Sequence, residues 1–312
     1  IFILNKEYPL GTSIVDVMKL DDEVIEFEIT PNRPDCLSII GMAREAAATF
    51  NVELKEPEII IENEVEDIRD YLDAKGHDIF VRRVDDKPVT ADKRIKDLKD
   101  SSNKWILSNL TDVRMFGATM TVKGDNKTFI GPIQFNWGYS LNKVELLEAS
   151  ITSHFSASER ATQGTIGKDF RVKYSLIAFS GVVSGNRAEK TALRAEDLAL
   201  LDEAMKYAIP NLTTRSKIGQ YPRLYIRAEY VDNETILGDY RDYIELKENV
   251  SNIRDINECS LTIDRLVELL EQNKEKIKNI YYFADENLEL ILSGQQVSFE
   301  EAFKDLPLKQ IE

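Results

Sequence analysis

The side chains in this chain that could do chemistry are cations, amides and aromatic rings set on alternating or loop-like sequence. Arg171, Lys173 and Ser175 alternate with Val172, Tyr174 and Leu176. On a strand, this turns two cations to one face and the apolar set to the other. The same device returns where Arg223, Tyr225 and Arg227 alternate with Leu224, Ile226 and Ala228. One such pair is ordinarily a solvated face, but two in one chain favour a shared cationic sheet surface, suited to phosphate oxygens. SITSHFSASERATQGTIGKDF (150–170) is longer than a connector needs to be, and supplies Arg160, Gln163 and Lys168 as candidate phosphate and ribose ligands. NLTTRSKIGQ (211–220) again combines hydroxyls with Arg215 and Lys217. QFNWGYS (134–140) packs amides and aromatics into a short loop, where Trp137 and Tyr139 suit either core and rim packing or stacking on bases and sugars.

None of this is the equipment of a bond-breaking site. There is no HExxH, GxSxG or P-loop pattern, and Lys168 follows Gly167 without the earlier glycine that a Walker motif requires. A metal-dependent RNase working through Asp112 or Asp169 would need clustered acids, and the aspartates near the loops are isolated or beside Arg and Lys. Cys36 and Cys259, with His77 and His154, are too few and too scattered for a disulfide framework or a zinc site. No catalytic residue, metal or cofactor is therefore expected. No run of about 18 apolar residues occurs and no secretory pattern opens the sequence, so the expectation is a soluble, cytoplasmic protein without a membrane partner.

The net charge of -15 argues against a polyanionic partner, but its distribution argues for one. Residues 68–230 hold 26 Lys and Arg against 20 Asp and Glu, while the two flanks hold 14 against 35. Screening within about 8–10 Å leaves a cationic middle free to bind phosphates beside acidic flanks.

The elements that must position these residues follow from the local patterns. Val24–Ile29 alternates as a strand, the prolines of TPNRPDC (30–36) break regular structure, and Asp35 or Ser38 can cap a helix over 37–50. Residues 66–75 read as a helix ended by Gly76, 79–84 as a short strand, and 85–104 as a solvated surface helix or insertion. Phe116–Val122 and Thr128–Phe135 flank a turn composition and predict a hairpin. Leu193–Ile209 is an amphipathic helix stopped by Pro210. The acidic end adds a helix over 262–279, a tight pair of strands at 280–283 and 288–292, and a last helix opened by a Ser298–Glu301 capping box. Strand and helix order through 110–231 suits an α+β sheet of ferredoxin-like or RRM-like type.

Two stretches carry family resemblances. EYPLGTSIVDVMKLDDEVIEFEITPNRPDCLSIIGMAREAAATFNVELKEPEI resembles the β subunit of bacterial phenylalanyl-tRNA synthetase, over residues 1 to about 66. In that family the piece is structural and the aminoacylation site lies in the other subunit, so no activity is implied. FGATMTVKGDNKTFIGPIQFNWGYSLNKVELLEASITSHF, QGTIGKDFRVKYSLIAFSGVVSG, NLTTRSKIGQYPRLYIRAEY and the RDYIEL to NIRDI run resemble the repeated crRNA-binding backbone subunit of type I-B CRISPR interference complexes (Cascade), a subunit of the RAMP superfamily. This second resemblance covers about 68 to 312, with GPIQFNWGYSLN and TRSKIGQ its most specific strings.

The second resemblance implies an RRM-like antiparallel-sheet palm at about 110–231, with long loop insertions and a small acidic α/β appendage at 232–312. It also implies a protein that does no chemistry. Such subunits polymerise with copies of themselves and other Cascade subunits along a CRISPR RNA, and present it for pairing with target DNA. Arg160, Lys168, Arg171, Lys173, Arg187, Arg215 and Lys217 would then contact phosphates, and Gln134, Asn136 and Trp137 would line the guide path. Arg114, Lys123, Lys143, Gln163 and Arg223 complete the expected RNA-binding set. Family members begin with a palm strand and an Asn-Pro-Asn-Gly-Asp loop that this sequence lacks, so either the chain is a fusion or chimera, or residues 24–50 replace the missing strand, loop and helix. A module of the synthetase β subunit and a metal-dependent RNase of the RAMP superfamily are the alternatives.

Overall fold

The chain divides between Glu58 and Ile59. The computed structural model describes residues 60–61, 64–84, 87–122, 125–152, 166–211 and 218–312, all in the second unit. The expected strand at 24–29, the helix at 37–50 and their proposed role in the palm lie outside the described residues. After β1 (Ile60–Ile61), the spacing of Ile68, Tyr71 and Leu72 buries one side of α1 (Glu64–Ala74). At its end Gly76 takes a φ of 85°, which lets His77 N–H reach Leu72 O and Gly76 N–H reach Asp73 O.

The strand expected at 79–84 shrinks to β2 (Arg83–Val84), paired with β3 (Lys87–Pro88). Phe80 and Val81 give their N–H groups to the Asp112 carboxylate instead of to a ladder. Three short helices follow: α2 (Ala91–Lys96), capped by Thr90, α3 (Asn103–Asn109), capped by Ser102, and α4 (Thr111–Phe116). A hairpin forms, β4 (Gly117–Val122) against β5 (Asp125–Ile130), but shifted from the expected one: residues 125–127 are strand and not turn, and 133–135 pair elsewhere, while Met120 is buried beside Phe80, Ile106, Leu110 and Val113.

Gly131 and Pro132 separate this hairpin from β6 (Ile133–Phe135) and β7 (Gly138–Ser140). A second hairpin, β8 (Leu146–Thr152) with β9 (Ile166–Val172), leads to β10 (Ile177–Ala178) and β11 (Gly181–Val183). β11 pairs with β6, β10 with β7, and β1 with the other edge of β7, all antiparallel. After α5 (Gly185–Thr191), the long α6 (Ala195–Asn211) packs on α1 and β6, burying Leu201, Ala204 and Ala208 against Ile68, Leu72 and Ile133. Pro210 does not stop this helix before itself, as predicted, but sits in its last turn, where its missing N–H costs one bond.

The remaining strands make two sheets. β12 (Leu224–Tyr230), β15 (Ile277–Ala284) and β18 (Leu308–Gln310) form one in that order. β13 (Glu245–Glu248), β14 (Cys259–Thr262), β16 (Glu289–Leu292) and β17 (Gln295–Val297) form the other. α7 (Asp264–Gln272) and α8 (Phe299–Ala302) bury Leu266, Leu270 and Phe299 into the core these sheets share with Leu176 and Ile226. The predicted tight pairing of 280–283 with 288–292 is corrected: both strands form, but each joins a different sheet. The Ser298–Glu301 capping box forms with both of its hydrogen bonds. Helices with mainly antiparallel ladders, two others (β14–β16 and β15–β18) being parallel, make the architecture α+β.

Candidate nucleic-acid interface

The exposed amides and indole of QFNWGYS stand at a break in register. Phe135 lies opposite Gly181 in β6–β11, and Tyr139 lies opposite Ala178 in β7–β10. Between these points one strand carries Asn136, Trp137 and Gly138, and the other only Phe179 and Ser180. The extra residue makes a β-bulge, which bends the strand and re-aims a side chain. The Asn136 N–H bonds Ser180 O at 2.7 Å, and its Oδ1 accepts the Trp137 N–H at 2.9 Å. A Cβ at Gly138 would lie 2.2 Å from the Phe179 ring, so only glycine lets that ring cross the bulge. Trp137 is left 49% exposed, with Gln134 and Asn136 also exposed and Val182 directly opposite Gln134.

What holds the corner comes from far along the chain. Arg241 Nη1 donates to Trp137 O at 2.6 Å, and the guanidinium lies 4.8 Å over the Tyr139 ring. Asp239 grips the same guanidinium with bonds to Nε at 3.0 Å and Nη2 at 2.6 Å. That bond from Arg241, with the Arg241 backbone N–H, holds the Asp239 carboxyl below its ordinary range despite partial burial. Neither residue was singled out from sequence; the acid-aromatic-base order at 239–241 carries no local mark of its distant target. Nearby, Asn142 is a buried amide that donates to Lys143 O and Tyr174 O and accepts the Leu176 N–H at 2.8 Å, fixing the strand end that presents exposed Lys143.

The predicted cations divide. Arg114 is corrected: it is 3% exposed and bound through both arms to Asp197 at 2.7 Å, so it faces no ligand. Arg223 is also spent, on an ion pair with Asp285, and Arg227 is fixed to Asp202 at 2.6 Å. The second cationic strand face is therefore not solvent-facing, because α6 lays the buried Asp202 against it and satisfies Tyr225 and Arg227 together. Burial and the Asp202 charge push the Tyr225 phenol well above its ordinary value.

On the first strand, Arg171 is exposed opposite Leu147, and Lys173 pairs with Glu145 at 2.8 Å at the rim of a polar cleft with Arg254 and Glu258. Tyr174 and Leu176 pack on the core as the alternation requires. Arg187 is exposed on α5, with no hydrogen bond or ion pair from its guanidinium among the described residues. Lys168 lies in β9, at the register position opposite Ser150 of β8. Lys123, Arg160, Gln163, Arg215 and Lys217 lie outside the described residues.

Asp112, considered for metal chemistry, is fully buried and accepts the N–H groups of Phe80, Val81 and Val113, with Arg69 at 3.4 Å. A carboxylate so committed is a structural acceptor. Among the described residues, no group of three or more His, Cys, Asp or Glu is arranged to hold a metal, and no helix is long and apolar enough to cross a membrane.

Over residues 66–264 the chain matches the family model for the CRISPR-associated protein Cas7. A CRISPR-associated protein Cas7 from Haloferax volcanii is 32% identical over 272 residues, covering 77% of this chain and 80% of that protein. The chain is thus of the CRISPR-associated class, and within it belongs to the Cas7 family. A second similarity is short: the phenylalanine–tRNA ligase β subunit of Clostridium acetobutylicum is 44% identical over 84 residues, 27% of this chain but 11% of the ligase. The two similarities together fit a chimera. A chain described as a CRISPR RNA-guided surveillance complex, pre-nicking, aligns over 80% of this chain with a TM-score of 0.36, too weak a likeness to carry a conclusion.

Proposed function

We propose that this chain is a non-catalytic backbone subunit of a CRISPR interference complex, which binds CRISPR RNA, repeats along it with copies of itself and other subunits, and presents it to target DNA. The observation that carries this reading is membership of the Cas7 family over residues 66–264. An RRM-like palm would be built around β6, β7, β10 and β11, with Gln134, Asn136 and Trp137 lining the guide path. Arg171, Lys173, Arg187 and Lys143 would contact phosphates, joined by Lys123, Arg160, Gln163, Lys168, Arg215 and Lys217. The exposed indole beside two amides supports this assignment, because stacking on an aromatic face tolerates any base while cations track the backbone. The ligase-like segment spans too little of its relatives to bring their activity with it.

The test is a gel shift with CRISPR repeat-spacer RNA at two salt concentrations, comparing the native chain with R171E/K173E. Loss of two phosphate contacts should weaken binding equally across guide sequences and reduce the salt slope by about 1.4, at roughly 0.7 per contact on a single strand. An unchanged affinity and slope would remove the β9 face from the interface. Cleavage of the RNA in the presence of magnesium would refute the non-catalytic reading.

A further inference from the structure

A β-bulge leaves one residue outside the ladder, and in this fold that residue's carbonyl is rescued from a distance. Trp137 O receives Arg241 Nη1 at 2.6 Å, and the same nitrogen lies 3.4 Å from Ala178 O on the neighbouring strand. The guanidinium therefore spans the two strands at the point where their register slips by one residue. Its own orientation is fixed three ways: the bidentate grip of Asp239, the Tyr139 ring beneath it, and a side-chain exposure of 12%. A planar fork in that cage can point in only one direction, which a lysine ammonium could not reproduce.

The geometry points to Arg241, locked by Asp239, as a positioning residue: it holds the bulge open so that the Trp137 indole stands out for a nucleobase. This rests on the reading of the corner as part of the RNA path, and adds to it a control point at 239–241, to which the resemblance gave no role. Arg241 would touch no RNA. It acts through the bulge, so its effect on binding must run through Trp137.

A double-mutant cycle separates that role from general support of the fold. RNA affinity is measured for the native chain, W137A, R241Q and W137A/R241Q with a repeat-spacer RNA. Stacking of one base corresponds to about 5- to 150-fold in affinity, so W137A should lose that much. R241Q should lose at least about threefold of the same interaction, and the double variant should bind no more weakly than W137A alone. Losses that multiply in the double variant would overturn the positioning role while leaving RNA binding intact. If W137A binds as the native chain does, the inference fails and the RNA path lies elsewhere on the protein; if the native chain does not bind at all, the proposed function fails with it. Should R241Q not fold, D239N in a W105F background retains the arginine but removes the charge that locks it, and the quenching of Trp137 fluorescence by RNA reports directly. Reduced quenching at unchanged unfolding midpoint supports the clamp, and native quenching and affinity in D239N refute it.

Discussion

Replacing Asp197 by asparagine should cost the fold about 3–5 kcal/mol, although the substitution changes no volume. Asp197 and Arg114 have side chains 3% and 4% exposed, so neither reaches bulk water. The carboxylate takes Nε and Nη2 of Arg114 at 2.7 Å each, and its Oδ2 also accepts the Arg194 N–H at 2.8 Å where α6 begins. The remaining guanidinium donors go to Leu107 O at 3.0 Å, with longer contacts to Ser108 O and the Thr111 hydroxyl at 3.4 Å. An asparagine would preserve one acceptor but leave a buried cation with no counter-charge, the case in which desolvation goes unrepaid. For a unit of this size the loss corresponds to a fall of roughly 6–20 °C in unfolding midpoint, or a clear drop in the urea midpoint at unchanged slope. Urea titration followed by far-UV circular dichroism checks it, with D197N and R114M both destabilised. RNA affinity of the folded R114M protein at low temperature should equal that of the native chain. A loss below about 1 kcal/mol would mean that the pair is solvated, and a selective loss of RNA affinity would return Arg114 to the interface.

Gly138→Ala should destabilise by about 1–3 kcal/mol and lower RNA affinity, since the new methyl would meet the Phe179 ring across the bulge; a urea midpoint equal to the native one would deny that packing. The Asp239 carboxyl, held below its ordinary value chiefly by Arg241, contributes its clamp fully above the ordinary aspartate pKa of about 3.9 and loses it as pH falls through the depressed value. Trp137 emission in a W105F background should accordingly be flat from neutral pH to about pH 4 and change only below it; a transition near pH 6 would point to another group.

Local patterns announced much of this architecture because they act over a few residues. Gly76 ends its helix, and Ser298 and Glu301 close a capping box, whereas the run expected as one strand over 128–135 is split at Gly131–Pro132. Period-two alternation also sorted Leu224 and Ile226 to the core. What it could not register is a cover on the opposite face. Arg227 meets Asp202 and Arg114 meets Asp197 at sequence separations of 25 and 83, so a cationic strand with a buried partner reads like a cationic strand in solvent. The bulge was illegible for a related reason: it exists only as a difference in residue count between two strands, and neither strand carries that count alone. Exposed Trp137 could be named as a candidate, whereas the residues that set its carrier in place lie 104 positions away.

The place of β15 in its sheet has a consequence for how the protein is made. Among the described residues, 224–230 find their ladder partner in residues 277–284, and β18 then adds beyond it. At ordinary translation speeds of about 5–20 residues per second, β12 would leave the ribosome some seconds before the strand that completes it. Throughout that interval its hydrogen-bonding edge is open, and the aliphatic side chains at Leu224 and Ile226 lack their cover. Nascent chains stalled within this gap should be the form of the protein that chaperones retain.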